Sequence, residues 1–346
     1  MLEKYVNEFP EWLNAKGKFA DIAVSTRIRL ARNIKDIPFA YWASMRDLKR
    51  TTDMITSCIE NIDMLKNSDI ITINELSNVE KQFLVERHLI SPELPSSKFG
   101  SVVISEKEMI SIMINEEDHL RIQVLSSGFN LFDTWKILSS LDDKLSFNLP
   151  YAYSFNFGYL TSCPTNVGTG LRASVMLHIP GLSLANKIEK LLPALSKLGM
   201  VSRGFYGEKS ESFGDLFQVS NQITLGKREE ELIEELQKTV SQIISYEQEE
   251  RELLKKHGSF QLEDRFKRAY ALLLNAKVIP SKEAIELLSV VRLGILLDLL
   301  PPTPLERLNR LLIIIQPAHL QMVVGKPSGP DKRDIVRAEL IHKEFL

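Results

Sequence analysis

Cysteine is scarce in this chain of 346 residues, which holds two, Cys58 and Cys163. Two thiols far apart exclude a disulfide framework and favour a reducing compartment, so a cytoplasmic protein is expected. Long apolar runs are missing too. None approaches the roughly 18 residues that a membrane span needs, and the start, MLEKYVNEFPEWLNAKGKF, carries acidic residues and no apolar leader core. No membrane association is expected. An excess of charge of one sign is also lacking: 43 Lys+Arg stand against 45 Asp+Glu, a net charge of -2, which removes any bulk attraction to nucleic acid. Any positive site must be local. Several catalytic signatures are absent. There is no G-x-x-x-x-G-K-[ST] loop, no H-R-D with D-F-G and no G-x-S-x-G elbow, which argues against a P-loop enzyme, a protein-kinase fold and a serine hydrolase. No C-x-x-C occurs and none of the six histidines pairs at i, i+4, so no metal site made by the protein itself is expected.

What is present is ordinary soluble-protein material, 44% hydrophobic, enough for a substantial core and about two domains. Period-2 segments predict strands in IAVSTRIRL, SVVIS, MISIMIN, HLRIQV, AYSFNFGYL, LRASVMLHI and LFQVSNQ, several joined by turns short enough for antiparallel pairing. Helices are expected in NLFDTWKILSSLDDKL and in SLANKIEKLLPALSKLG, the latter closing on Gly199. From about residue 228 onward the apolar spacing is helical. REEELIEELQKTVSQIISYEQEERELLK reads as one long amphipathic helix whose charges form a solvated face, followed by QLEDRFKRAYALLLNAKVI, SKEAIELLSVVRLGILLDLL and PLERLNRLLIIIQ. The expected class is α+β: a mostly antiparallel sheet flanked by helices over residues 1–256, then an all-helical domain over 257–346.

The strand segments place chemistry on one face. In STRIRLARN, extended geometry sends Arg27 and Arg29 to one side and Ile28 and Leu30 to the other. Arg121 in HLRIQV and Arg172 in LRASVMLHI fall on polar faces in the same way, and Arg203 lies beside Gly204 and Gly207. Five such arginines repel one another unless an anion lies between them. A polyphosphate suits, because guanidinium forks match phosphate oxygens and keep their charge. Singly, each arginine also fits a surface position or a local salt bridge. Cys163, at a strand end before a proline, fits either a site-facing thiol or a buried structural one. The acidic cluster Glu116, Glu117 and Asp118 fits a solvated turn as readily as a site. RDIVRA fits a helix held by internal salt bridges.

Taken together and in order, STRIRLARN, NEEDHLRI, SCPTNVGTGLRASV and RGFYGEKSESFGDLFQVSNQITLG resemble the catalytic domain of the phosphagen (guanidino) kinases, to which creatine and arginine kinases belong. The resemblance runs from about residue 20 to 342. It is closer to the bacterial branch that phosphorylates arginine side chains in proteins. Only 24 residues precede STRIR where metabolite kinases carry a helical domain, a helical carboxy-terminal region is added, and RDIVRA fits an RDxxRA phosphoarginine-pocket motif.

The resemblance implies ATP, with Mg²⁺ held through the nucleotide. ATP would be bound by Ser25, Thr26, Arg27, Ile28 and Arg29, by His88 and Arg121, by Arg172, Ala173, Ser174, Val175 and Met176, and by Arg203, Gly204, Phe205, Tyr206, Gly207 and Glu208. It implies Glu117 as the carboxylate that takes the guanidinium proton, Asp118 beside it, Glu208 as a second substrate carboxylate and Cys163 as a thiol on the guanidinium. Lys209 departs from the relatives' usual glycine or histidine and puts fine specificity in question. Arg333, Asp334, Arg337 and Ala338 would form the phosphoarginine pocket. Implied partners are proteins with exposed arginine, among them a heat-shock repressor, an activator protein and a Clp ATPase or protease, with a homodimer or higher assembly. The activity would serve a stress response by marking proteins for Clp-type proteolysis. Two alternatives stand beside it: a kinase for a free guanidino metabolite, and a catalytically silent adaptor that binds ATP or phosphoarginine.

Overall fold

The computed structural model describes residues 2–204, 213–325 and 328–345. Its strands are β1 (Ala23–Arg32), β2 (Asp69–Thr72), β3 (Ser101–Ile104), β4 (Ile110–Ile114), β5 (Leu120–Ser127), β6 (Tyr153–Ser154), β7 (Gly158–Tyr159), β8 (Leu171–His178), β9 (Met200–Gly204) and β10 (Leu216–Asn221). Eight of them form one sheet in the order β2-β3-β4-β5-β1-β8-β10-β9, antiparallel at every pairing. The class is the α+β architecture expected. AYSFNFGYL, expected as one strand, is instead a hairpin of two-residue strands, because Gly158 takes a left-handed φ of 75° that turns the chain.

The helices are α1 (Glu3–Asn7), α2 (Met45–Ile59), α3 (Asn78–Glu86), α4 (Leu131–Asn148), α5 (Pro180–Leu184), α6 (Ile188–Lys197), α7 (Glu229–His257), α8 (Phe260–Asn275), α9 (Ser281–Leu296), α10 (Leu305–Ile314), α11 (Pro317–Val324) and α12 (Pro330–Phe345). Serine caps with reciprocal acids, Ser44 with Asp47 and Ser77 with Glu80, start α2 and α3. The SLANKIEKLLPALSKLG helix is broken between α5 and α6, and Asn186 there adopts φ 54°.

Strand alternation divides the sheet into two faces. Ile28, Leu30, Ile122, Val124, Ala173, Val175 and Val219 point to the core that α4 and α7 cover with Leu138, Leu141, Leu236 and Val240. The charges of α7 are not all solvated. Glu247 is fully buried and accepts hydrogen bonds from the amides of Gly181 and Leu182 (3.0 and 2.9 Å), while Arg251 neutralises it at 2.7 Å. The helical region builds its own core from Phe266, Leu273, Leu288, Leu311 and Ile341. It also interlocks with the sheet: Leu312 and Ile313 pack with Trp12, Leu13, Val24 and Met176, and Ala318 packs with Phe83. No helix among the described residues is long and apolar enough to cross a membrane.

Candidate active site

A cleft of about 750 Å³ opens on the sheet face opposite α4 and α7. Arg27, Arg29, Arg121, Arg172, Arg203, His88, Glu117 and Cys163 all line it, although they come from separate segments of the chain. Register explains the arginine cluster. Arg29 lies directly opposite Arg172 on β8 and Gln123 on β5, and Arg203 lies opposite Gln218. Like charges facing across a ladder are unfavourable. Burial, with the neighbouring Arg121, Arg172 and Arg203, lowers the pKa of Arg27 to about 10. Arg29 falls well below its ordinary value through burial first and then Arg27, Arg121 and Arg172, and its buried Nε has no hydrogen-bond partner among the described residues. A polyanion is the complement of this surface.

The segment NEEDHLR is the hinge of the site, each side chain with a different task. Asn115, at φ 55°, ties the β4–β5 turn to α2 through Leu48 O (2.9 Å) and Thr52 Oγ1 (3.0 Å). Glu116 accepts from Arg121 Nη1 at 2.5 Å and from the Ser91 hydroxyl, which fixes the Arg121 fork. Glu117 projects into the cleft and meets the Cys163 thiol. Its pKa is raised, chiefly by desolvation and then by Asp118 and Glu116, against the lowering effect of Arg121 and the thiol. A carboxylate so tuned is a better base than an ordinary one.

Asp118 does not line the cleft, which corrects its expected catalytic role. Its Oδ1 is buried, accepting from Asn33 Nδ2 (2.7 Å) and the Ser162 amide (2.6 Å). It anchors the turn that carries Cys163. His119 is similarly structural: Ile34 N–H donates to Nδ1 (3.0 Å), so Nε2–H donates to Pro38 O (2.8 Å). Gly170, at φ 63°, lets β8 start against β1, where a Cβ would stand 2.6 Å from Ala31 O.

His88 follows α3 in a left-handed conformation, φ 59°, and its carbonyl accepts from Gln123 Nε2 at 2.6 Å. Burial, then Arg27 and Arg29, depresses its pKa to about 3, so the ring is neutral and suited to stack rather than to transfer protons. A recess adjoining the cleft is lined by Ser25, Ser174, Met176, Gln218 and Trp12 as well as His88. Trp12 meets His88 edge to face at 5.7 Å, and its buried Nε1 has no hydrogen-bond partner among the described residues. Sequence reasoning missed it, because one tryptophan in an irregular amino-terminal stretch carries no periodic signal. Gln218 was within reach, since LFQVSN alternates.

Four expected nucleotide contacts are corrected at the side-chain level. Thr26 donates to Gly128 O (2.7 Å) and accepts from the Asn130 amide (3.1 Å), tying down the start of α4. Ile28, Ala173 and Val175 are core residues on the far face of the sheet. Phe205, Tyr206, Gly207, Glu208 and Lys209 lie outside the described residues, while Gly204 ends β9. In the carboxy-terminal helix, Arg337 is 1% exposed and donates to Ile315 O (2.9 Å), Ile279 O (2.8 Å) and Asp334, while Ala338 sits in the helical core. Both are framework, not pocket lining, because their polar or apolar needs are met internally. Arg333 is half-buried and donates to Ser328 O at 3.1 Å; burial raises the pKa of the cleft residue Glu86 to about 6, against a smaller opposing influence of Arg333.

An arginine cluster beside a tuned carboxylate and thiol defines a site for moving a phosphoryl group to a cationic nitrogen acceptor. Comparison with known proteins agrees. The model of the ATP:guanido phosphotransferase C-terminal catalytic domain matches residues 50–250, and that of the protein-arginine kinase McsB C-terminal domain matches 259–346. The protein-arginine kinase of Geobacillus sp. (strain WCH70) is 45% identical over 347 residues, covering 99% of this chain and 96% of that protein. That of Bacillus cereus (strain AH187) is 42% identical, covering 99% and 98%. Among solved structures, the duplicated taurocyamine kinase from Schistosoma mansoni with bound transition state analog components aligns with a TM-score of 0.61 at 25% identity, over 70% of this chain and 35% of that one. Lombricine kinase shares the fold, with a TM-score of 0.59 at 24% identity over 70% and 71%. The chain belongs to the ATP:guanido phosphotransferase family, in its protein-arginine kinase branch.

Proposed function

We propose that the protein transfers the γ-phosphoryl group of ATP to arginine side chains of proteins. The observation that carries this reading is the meeting, in one cleft, of five arginines with the Glu117–Cys163 pair. A protonated guanidinium is a poor nucleophile, its pKa exceeding about 12. Glu117 takes the proton as the N–P bond forms and the bond from the γ-phosphorus to the ADP oxygen breaks, while Cys163 and Glu208 orient the guanidinium. The arginines hold the triphosphate in line and offset charge on the transferring group, so that positioning and electrostatics supply most of the acceleration.

A magnesium ion fits as a partner of the nucleotide. Among the described residues no group of three or more His, Cys, Asp or Glu can hold a metal, which leaves phosphate and water as its main ligands. When bound, it would neutralise phosphate charge. Incubation with labelled ATP and either casein or free arginine tests the assignment. Acid-labile label on casein is the expected result; label on free arginine alone points to a metabolite kinase, and none on either to a silent adaptor.

Beyond the reaction, we propose a cytoplasmic setting in which the mark directs proteins to a Clp-type protease during stress. A heat-shock repressor is a substrate, an activator protein takes part, and the enzyme acts as a homodimer or larger assembly. The resemblance of the sequence motifs to the bacterial branch that phosphorylates protein arginines supports this. We further place phosphoarginine recognition at Arg333, for the phosphate, with Asp334 for the guanidinium. Retention of phosphoarginine binding outside the cleft in Arg333→Ala would overturn that placement.

A further inference from the structure

We propose that Gln123, on β5, is a positioning residue for the nucleotide base, holding the turn that carries His88 against the sheet. The proposal rests on the reading of the cleft as an ATP site. Five arginines suit the triphosphate, whereas a base needs flat and neutral hydrogen-bonding neighbours. His88 lines both the cleft and the adjoining recess, next to Ser25, Ser174 and Gln218, whose neutral side chains can donate to or accept from a purine edge. Held neutral by burial, then by Arg27 and Arg29, the imidazole offers a surface on which a base can stack.

The backbone at His88 is unusual for a histidine. α3 closes with two hydrogen bonds, from the Leu89 amide to Leu84 O (3.0 Å) and from the His88 amide to Val85 O (2.9 Å), and His88 itself adopts φ 59°. Glycine is the residue that such a helix end favours, because a side chain in the left-handed region costs energy. Gly325, which closes α11 at φ 71°, follows that preference. At residue 88 backbone ease is given up, and what is gained is an imidazole at the wall of the cleft.

The sheet holds this turn in place. Gln123 is 2% exposed, and its Nε2 donates to the His88 carbonyl at 2.6 Å. Ser111, its partner in register on β4 and fully buried, donates to the next carbonyl, Leu89 O, at 2.9 Å. Further on, the Ser91 amide points to Met113 Sδ at 3.2 Å. Side chains from the cleft face of β4 and β5 therefore grip three of the four backbone positions from 88 to 91. Gln123 also stands opposite Arg29 on β1, so one position of the sheet adjoins both the phosphate arginines and the base turn. Without the amide donor the hold on the His88 carbonyl is lost, and the ring leaves the place set for the base.

The test uses the full chain and two ligands, ATP with Mg²⁺ and inorganic tripolyphosphate, which can fill the arginines but carries no base. Gln123→Leu, similar in volume but lacking the donor, should raise Kd for ATP about tenfold, the size of one hydrogen bond left unmade, with Kd for tripolyphosphate unchanged. His88→Gly, which removes the ring and suits the left-handed turn, should weaken ATP binding in the same way, and Gln123→Leu added to it should weaken ATP binding no further. If Gln123→Leu fails to fold, Ser111→Ala carries the test, with Kd for ATP raised about threefold and tripolyphosphate again unaffected. An unshifted ATP Kd would overturn the proposal, as would equal weakening of both ligands or an additive loss in the double variant. Wild type that does not bind ATP overturns the functional reading, and this proposal with it; wild type that binds ATP while Gln123→Leu binds it equally well overturns this proposal alone.

Discussion

Arginines are handled in opposite ways in the scaffold and in the cleft. In the scaffold the buried guanidinium groups of three arginines meet carboxylates: Arg32 with Asp142 at 2.7 Å, Arg87 with Glu108, Arg251 with Glu247 at 2.7 Å. In the cleft Arg121 meets Glu116, but Arg29 faces Arg172 across the strands, and Arg27 and Arg29 are pushed toward deprotonation. The scaffold pairs are complete without a ligand. The like charge gathered in the cleft is offset when a polyanion enters, so nucleotide binding should stabilise the fold as well as start the reaction.

The largest expected effect tests the scaffold side. Arg87→Met strands Glu108, each partner being 1% exposed, and should cost about 3–5 kcal/mol in a urea titration. A loss below about 1 kcal/mol would erase the contrast with the cleft. Next comes the chemistry: Glu117→Gln should lower turnover by about 10²-fold or more while the ATP Kd holds, and an active variant would remove the base. Arg29→Met sharpens the comparison through its sign. Without nucleotide the variant should be slightly more stable, by up to about 1 kcal/mol, because it removes a like-charge pair with Arg172. Its ATP affinity should fall at least about tenfold, the weight of a lost charge-assisted contact. Nucleotide-free destabilisation like that of Arg87→Met would mean that the two regions do not differ.

The smallest effect is in pH. A base must be ionised, and the Glu117 pKa is raised, so kcat/KM should fall with decreasing pH at a point above the ordinary carboxylate range of about 4.3. His88, depressed to about 3, should add no inflection near neutrality. An acid limb at or below the ordinary range would show that Glu117 is not the base.

Legibility followed the kind of signal each residue carries. Arg27, Arg29, Arg121 and Arg172 were readable because strand alternation is local, and it put them on the face that the cleft occupies. The same alternation placed Ile28, Ala173 and Val175 in the core, which the motif resemblance alone had drawn into the nucleotide site. Asp118 went unread as an anchor: an acid beside a base looks catalytic until Asn33 and the Ser162 amide are seen to occupy it. Arg337 looked like a pocket residue until its donors were found on Ile315, Ile279 and Asp334. Hydrogen-bond partners far apart in sequence leave no periodic trace.

The sequence by itself determined the chemistry available and the face of each strand on which it would appear, because residue type and a two-residue period are properties of short segments. Tertiary structure decided which arginines stand opposite which, that Trp12 lies against His88, and that Ser289 reaches Asp215. Those outcomes depend on register and on packing between distant segments, where the energy of a contact belongs to neither segment alone.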